Sequence, residues 1–472
     1  MVRSLFSTLF LAVLLCPAQQ PNKEVPPQPT YEFGFEQRVR NENWNNILDY
    51  SDATDDQRAQ IRYRTRIWFK APLMDDIDIS VGLNQESNQW AIPSRVNRFD
   101  EIIFESAYVD IKKLFLRGLS LRAGRQNLMK GEGFLMFEGN PGDGSRSIYF
   151  NAVDLAYSWK KSKLEAIGIL NPKRDRMLPR IHDQHKILQD WDESSLGAYY
   201  TDKNHKKTSF EAYYLYTKEV HDYLAPTNPQ FQPDRHVSTA GGRVVQQLAA
   251  GLSATGEFAG QWGAQHPTVP IHGWGGYGYL KKQFAHRWKP YALGGWWGFS
   301  GDDPATKGSI EGWDDLYGRW PKWSELYIYS QVREVGVAYW TNLGMTQAEV
   351  GFTPHKMISG RLTWYHMDAF HPFPGSPKIF GTGTSRGENA QARIDFLPNK
   401  NWKAHILYET QLPGDYYYAR KTGYFLRFEA SYQITASLKR GSLLNALGLA
   451  GSRNTELAAA LPEEQEQEAG TR

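Results

Sequence analysis

Apolar residues recur at every second position along much of this chain. Tyr31, Phe33, Phe35 and Val39 share one parity, while Glu32, Glu36, Arg38 and Arg40 hold the other. From Ile61 onward, Ile61, Tyr63, Thr65, Ile67 and Phe69 alternate with Arg62, Arg64 and Arg66. Later, Ala254, Gly256 and Phe258 separate from Thr255 and Glu257, and Tyr424, Leu426, Phe428 and Tyr432 separate from Arg427, Glu429 and Gln433. A period of two sends successive side chains to opposite faces of a strand, so each window predicts a strand with one apolar and one charged face.

The windows of this kind are 31–40, 59–70, 75–85, 101–112, 117–126, 147–159, 162–170, 195–202, 207–216, 236–247, 250–261, 269–283, 287–299, 345–354, 357–369, 388–397, 402–412 and 422–434. Long connections rich in Gly and Pro (41–58, 86–100, 127–146, 171–194, 217–235, 300–344, 370–387) alternate with tight turns such as 160–161, 203–206, 248–249 and 355–356. Long connections are expected after every odd-numbered strand. Val332 to Trp340 also alternates, but counting it would make the strand number odd, so it is assigned to a long outer loop. The pattern predicts about eighteen strands forming an all-β, antiparallel transmembrane barrel with long outer loops and short periplasmic turns.

Composition sharpens this picture. The 472 residues are 14% aromatic with 42 Gly, yet mean hydropathy is -0.57. No window offers the 18 apolar residues of a membrane helix, which excludes a helical membrane protein and leaves a barrel open. Arg3, the apolar run Leu5 to Leu15 and Cys16-Pro17-Ala18 read as a signal peptide over 1–18. Lipidation of Cys16 is the alternative, disfavoured by the bulky Leu15 before it. Residues 19–30 read as a short linker, 31–435 as the barrel, and 436–472 as a tail with a short helix around Leu443, Leu444 and Leu447 and an acidic disordered end.

Three arginines on one strand face cannot point into lipid, where each near the midplane costs about 2 to 4 kcal/mol. By strand parity, Arg38, Arg40, Arg62, Arg64, Arg66, Arg122, Arg243, Arg361, Arg393 and Arg427 face the lumen, with Glu32, Glu36, Asp154, Glu257, Asp395, Glu409 and Glu429 among them. Guanidinium groups bind carboxylates through two parallel hydrogen bonds and stay charged at every relevant pH. These ten arginines are therefore the candidate substrate-binding residues. The competing reading is that arginine and carboxylate ladders satisfy one another across a polar interior.

The stretch "LRAGRQNLMKGEG", followed by "SRSIYFNAVDLAY", resembles the signature of the alginate export family of outer-membrane barrels. "FEQRVRNENW", "YRTRIWF" and "VGFTPHKMISGRLTWYHMDAF" fit that family's layout. Asn151 stands where the family has an acidic residue. The resemblance implies an eighteen-stranded outer-membrane channel passing an anionic polyuronate through an arginine-lined pore, without enzymatic activity or cofactor. The implied partners are an anionic polysaccharide or small anions, outer-membrane lipid and periplasmic export proteins; nothing points to nucleic acid.

Two alternatives remain open at this level: a general porin for small anionic solutes or sugar acids, and a secreted carbohydrate-active β-protein using paired carboxylates. His182, Asp183 and His185 lie close together without a third metal ligand. Asp302, Asp303, Asp314 and Asp315 read as a solvated loop, and most tryptophans as membrane-interface residues. No phosphate loop, nucleophile elbow or HExxH motif is present.

Overall fold

The computed structural model describes residues 30–96, 102–137, 149–173, 175–179, 192–220, 234–265, 268–318, 322–331, 334 and 339–439. Its strands are β1 (Thr30–Asn45), β2 (Arg58–Met74), β3 (Ile77–Ile92), β4 (Ile102–Ile111), β5 (Leu119–Gln126), β6 (Phe150–Trp159), β7 (Ser162–Asn171), β8 (Asp192–Asp202) and β9 (Thr208–Val220), followed by β10 (Arg235–Gln247), β11 (Leu252–Gln265), β12 (Val269–Gln283), β13 (Tyr291–Phe299), β14 (Leu343–His355), β15 (Ile358–Asp368), β16 (Ser385–Phe396), β17 (Trp402–Pro413) and β18 (Gly423–Lys439). One short helix, α1 (Tyr327–Ser330), interrupts the connection between β13 and β14.

Each strand pairs antiparallel with the next, and β18 returns to β1, so the sheet closes on itself with no free edge. Closure is what a lipid environment demands, since an unpaired backbone group has no water to turn to there. The seam is also fastened through side chains: Arg40 meets Glu429 at 2.5 Å and Arg427 meets Glu42 at 2.6 Å. Outward positions carry exposed Phe33, Ile67, Val153, Phe258, Leu280, Leu362, Ile394 and Phe428. Inward positions bury Glu36, Arg38, Arg40, Arg64 and Glu257. This arrangement, apolar outside and charged inside, is the inverse of a soluble protein and fits a bilayer-spanning wall.

The described part of the wall runs from Thr30 to Lys439. One expectation needs adjustment. A long connection does not follow every odd-numbered strand, because only three residues separate Gln265 of β11 from Val269 of β12. These two strands outreach β13, and the free edge of β12 is taken by a returning loop: His272 N donates to Ile310 O, and Ile310 N donates to Pro270 O. The described residues of the 332–340 stretch lie in that loop and not in the wall. The 1–18 and 440–472 segments, and His182, Asp183 and His185, lie outside the described residues.

Part of the lumen is occupied by residues that belong to connections rather than to the wall. The described residues of the connections 127–149 and 300–342 share one apolar cluster with the inner face of the wall. Trp313, Trp323 and Trp340 of the second pack with Phe134, Leu135 and Met136 of the first, against wall residues Tyr277, Trp297, Phe299, Met345 and Tyr365. Gly275 makes room for this: a Cβ there would lie 2.8 to 3.0 Å from three ring atoms of Trp313. These tryptophans are plug residues, whereas Trp262, Trp288, Trp296, Trp364 and Trp402 are exposed on the barrel.

Candidate functional site

All ten sequence-predicted arginines lie on inward positions of the wall. Most of them form one continuous ladder with carboxylates. On β1 to β4, Arg38 bonds Glu86 at 2.9 Å, Arg64 bonds Glu36 at 2.6 Å, and Arg66 bridges Glu36 at 3.3 Å and Glu105 at 2.7 Å. Arg62 reaches Glu42 at 3.3 Å and Glu86 at 3.8 Å. Arg122 pairs with Asp110 at 2.7 Å and lies over the Tyr108 ring. Arg243 meets Glu132 at 2.9 Å and Glu211 at 3.1 Å, and Arg393 meets Asp395 at 2.7 Å. The register places Glu36 across from Arg66, Glu86 across from Arg64, and Glu42 and Glu429 across from Arg427 and Arg40, pairings that stabilise a sheet. It also places Arg38 across from Arg64 and Arg40 across from Arg62, and Glu86 and Glu42 bridge these like-charged pairs.

Arg361 is the exception. It is exposed on the inner face of β15, and its side chain forms no hydrogen bond or ion pair with another described residue. Its direct cross-strand neighbour on β16 is Arg393, so two guanidinium groups face the same stretch of lumen near the short-turn end. On the other side it is paired with Gly351 of β14, which contributes no side chain.

Predicted Arg427 and Glu409, together with Arg386 and Arg235, which sequence parity did not single out, join the plug to the wall. Arg386 forms two contacts with Glu334, of 2.8 and 2.6 Å. Arg427 forms two with Glu325, of 2.8 and 2.9 Å. Arg235 meets Asp314 at 2.7 Å. Glu409 of β17 accepts from Ser324 Oγ at 2.6 Å and from the backbone N–H groups of Glu325 and Leu326, holding the chain just before α1. Asp314 and Asp315 are thus buried groups, not solvated loop acids. Their outer-loop location hid them, since loops carry no periodicity from which a facing direction can be read.

Lys322 and Glu132 tie the two inward loops together. Lys322 Nζ donates to the Glu132 carbonyl at 2.5 Å and lies 5.3 to 5.6 Å from the rings of Tyr277, Trp297 and Trp323. Burial pulls its ammonium down to about 8, against the opposing pull of Glu132 and Glu257. Glu132 also accepts from Tyr279 at 2.6 Å. Burial pushes its carboxyl up, but Lys322, Tyr279 and Arg243 together hold it below the usual carboxylate range. The arrangement is a charge-compensated plug packed inside a barrel; among the described residues no group of His, Cys, Asp or Glu is arranged to hold a metal.

Comparison with known proteins agrees with this geometry. No curated protein sequence matches the chain. Among solved structures, Pseudomonas aeruginosa OccK5 (OpdH) is similar with a TM-score of 0.53 at 10% identity, covering 86% of this chain and 98% of that one. P. aeruginosa OccK2 (OpdF) in complex with glucuronate gives 0.53 at 10% identity over 86% and 98% of the two chains. P. aeruginosa OpdK with vanillate gives 0.53 at 9% identity over 86% and 99%. At such identities the likeness concerns the fold, that of an outer-membrane porin. The sequence model of the alginate export family matches residues 30–424, most of the chain, and the protein belongs to that family of outer-membrane channels.

Proposed function

We propose that the barrel conducts an anionic polysaccharide, alginate or a similar polyuronate, which is met in the short-turn half of the lumen by Arg361 and Arg393. The observation that carries this reading is the exposure of Arg361, without an internal carboxylate, directly opposite a second arginine. Arg393 already pairs with Asp395, so the uncompensated charge is that of Arg361, and a substrate carboxylate bound beside it relieves the repulsion across the strand pair. The remaining predicted arginines, already matched by glutamate and aspartate, set the polarity and shape of the wall rather than supplying bare positive charge. Membership of the alginate export family supports the same substrate class.

The test is conduction by the purified full-length chain in planar bilayers. Oligogalacturonate added on the short-turn side should reduce or modulate chloride current, and Arg361→Gln should weaken that interaction several-fold and lower anion preference. An Arg361→Gln channel with unchanged oligomer interaction would remove the observation on which the reading stands. Passage of small sugar acids is the second reading, favoured by the likeness to barrels solved with glucuronate and vanillate. Glucuronate that permeates while the oligomer never interacts would decide for it.

A further inference from the structure

Four arginines of the inner wall each meet a carboxylate that belongs to an inward loop instead of to the wall. Arg386 holds Glu334, Arg427 holds Glu325, Arg235 holds Asp314 and Arg243 holds Glu132. Two of these pairs, Arg386 with Glu334 and Arg427 with Glu325, show the parallel two-bond geometry by which a guanidinium recognises any carboxylate. Arg427 keeps a wall partner in Glu42, Arg235 in Glu219 and Arg243 in Glu211. Arg386 differs: Glu334 is its one carboxylate partner among the described residues, its other contacts being the hydroxyls of Tyr327 and Tyr416 and the Asn342 carbonyl.

We propose that the plug carboxylates are internal stand-ins for those of the transported polymer, so that a polyuronate opens the channel by taking Arg427 and Arg386 away from Glu325 and Glu334. This rests on the polyuronate reading given above. The placement of the arginines fits a stepwise exchange. Arg361 and Arg393 are exposed or half-exposed in the short-turn half of β15 and β16, while Arg386 lies seven positions further along β16, about 23 Å at roughly 3.3 Å per residue. A polymer held at the first pair extends towards the masked arginines with its next carboxylates.

Valency sets the selectivity of this gate. The glutamates are tethered, and tethering by a short linker gives an effective concentration in the millimolar range, against which a free monomer competes poorly. A polymer already anchored at Arg361 is itself tethered and competes on equal terms. Oligomers therefore open the plug, whereas monomers at the same carboxylate concentration do not.

The experiment measures open probability of the full-length chain in planar bilayers with oligogalacturonate or galacturonate on the short-turn side. Wild type should open with the oligomer and not with the monomer. Glu325→Gln/Glu334→Gln should open more often without ligand and need at least about fivefold less oligomer for half-maximal opening. Arg386→Gln should also open more often unliganded, yet need more oligomer, a split that a purely structural latch does not produce. Equal half-maximal concentrations in wild type and the double variant, or opening by monomer as effective as by oligomer, overturn the stand-in proposal and leave the conduit reading intact. An oligomer without effect on any variant, in channels that pass chloride, overturns the conduit reading itself. Should a variant fail to assemble, hydrogen exchange in the wild-type chain gives the same answer: residues 322–331 should exchange faster with oligomer bound, and unchanged exchange while the oligomer modulates current overturns the proposal.

Discussion

Arg125 and Asp175 are joined by two parallel contacts of 2.7 Å each, with neither side chain appreciably exposed. The remaining Arg125 donors reach Asn151 at 3.0 Å and the Phe104 carbonyl at 2.9 Å, and the guanidinium lies 5.0 Å from the Tyr149 ring centre. The densest part of the family-like stretch thus fastens the end of β5 to the β7–β8 connection. Asp175 supplies the carboxylate that compensates the guanidinium, and Asn151 accepts from it through its side-chain oxygen.

Removing one partner of a buried pair leaves the other charge uncompensated, at a cost of about 3 to 5 kcal/mol. Arg125→Ala should therefore lower the unfolding midpoint in detergent markedly while leaving the ion selectivity of surviving channels unchanged. Burial pushes Asp175 up, but Arg125 and the Met177 and Leu178 amides hold it below the usual aspartate range. With the folded value depressed, this stabilisation is complete above the ordinary aspartate pKa and lost as pH falls through the folded value. Acid titration of the midpoint, wild type against variant, checks it.

Arg62, Arg64 and Arg66 are each engaged with Glu36, Glu42, Glu86 or Glu105. Replacing all three by Gln would take these arginine contacts from Glu36 and Glu105, while Glu42 keeps Arg427 and Glu86 keeps Arg38, leaving an excess of negative charge inside the wall. The expected outcome is a loss of assembly yield and a shift of the remaining channels past neutrality towards cation preference, read from reversal potentials in a KCl gradient.

Lys322 offers a pH signature of plug closure. Its folded value of about 8 lies below the ordinary lysine value, so the closed state binds fewer protons than an open state in which the ammonium is hydrated. Raising pH from about 8 towards the ordinary lysine range therefore favours closure, by at most about tenfold per pH unit for one proton. The titratable and charged groups facing it are Glu132 from the first loop, and Glu257, Arg243 and Tyr277 from the wall. Lys322→Met keeps the packing against the rings and should flatten this dependence of open probability.

Gly275→Ala would place a methyl group against the Trp313 ring. Overpacking of this kind typically costs about 1 to 3 kcal/mol, and here the plug is the part able to move. Unliganded conductance should rise while the barrel's own unfolding midpoint changes little.

The wall was legible because its grammar is local. Eighteen alternating windows correspond to eighteen strands, and the parity of Arg62, Arg64 and Arg66 against Ile61, Tyr63 and Ile67 is enough to assign inside and outside. The plug was not legible, since Trp313, Trp323 and Trp340 follow no period and their burial depends on Phe134 and Gly275, distant in sequence. Nor could parity distinguish Arg361 from Arg38. Both are inward, and both face an arginine across a strand pair, Arg64 for one and Arg393 for the other; only the side-chain contacts reveal that Arg38 reaches Glu86 of β3 while Arg361 meets no such carboxylate among the described residues.

The seam between β1 and β18 has a consequence for how the barrel is made. Arg40 and Glu42 wait for partners that lie 389 and 385 positions later in the chain. Contacts of such separation are among the slowest to form, because the intervening chain must be confined before they return any energy. Until Arg427 and Glu429 arrive, β1 presents both an unpaired backbone edge and charges without counterparts, a combination poorly tolerated in lipid. A chain ending before Arg427 would lack both the eighteenth strand and the charges that complete the first, so the finished seam reports that synthesis has reached the last strand.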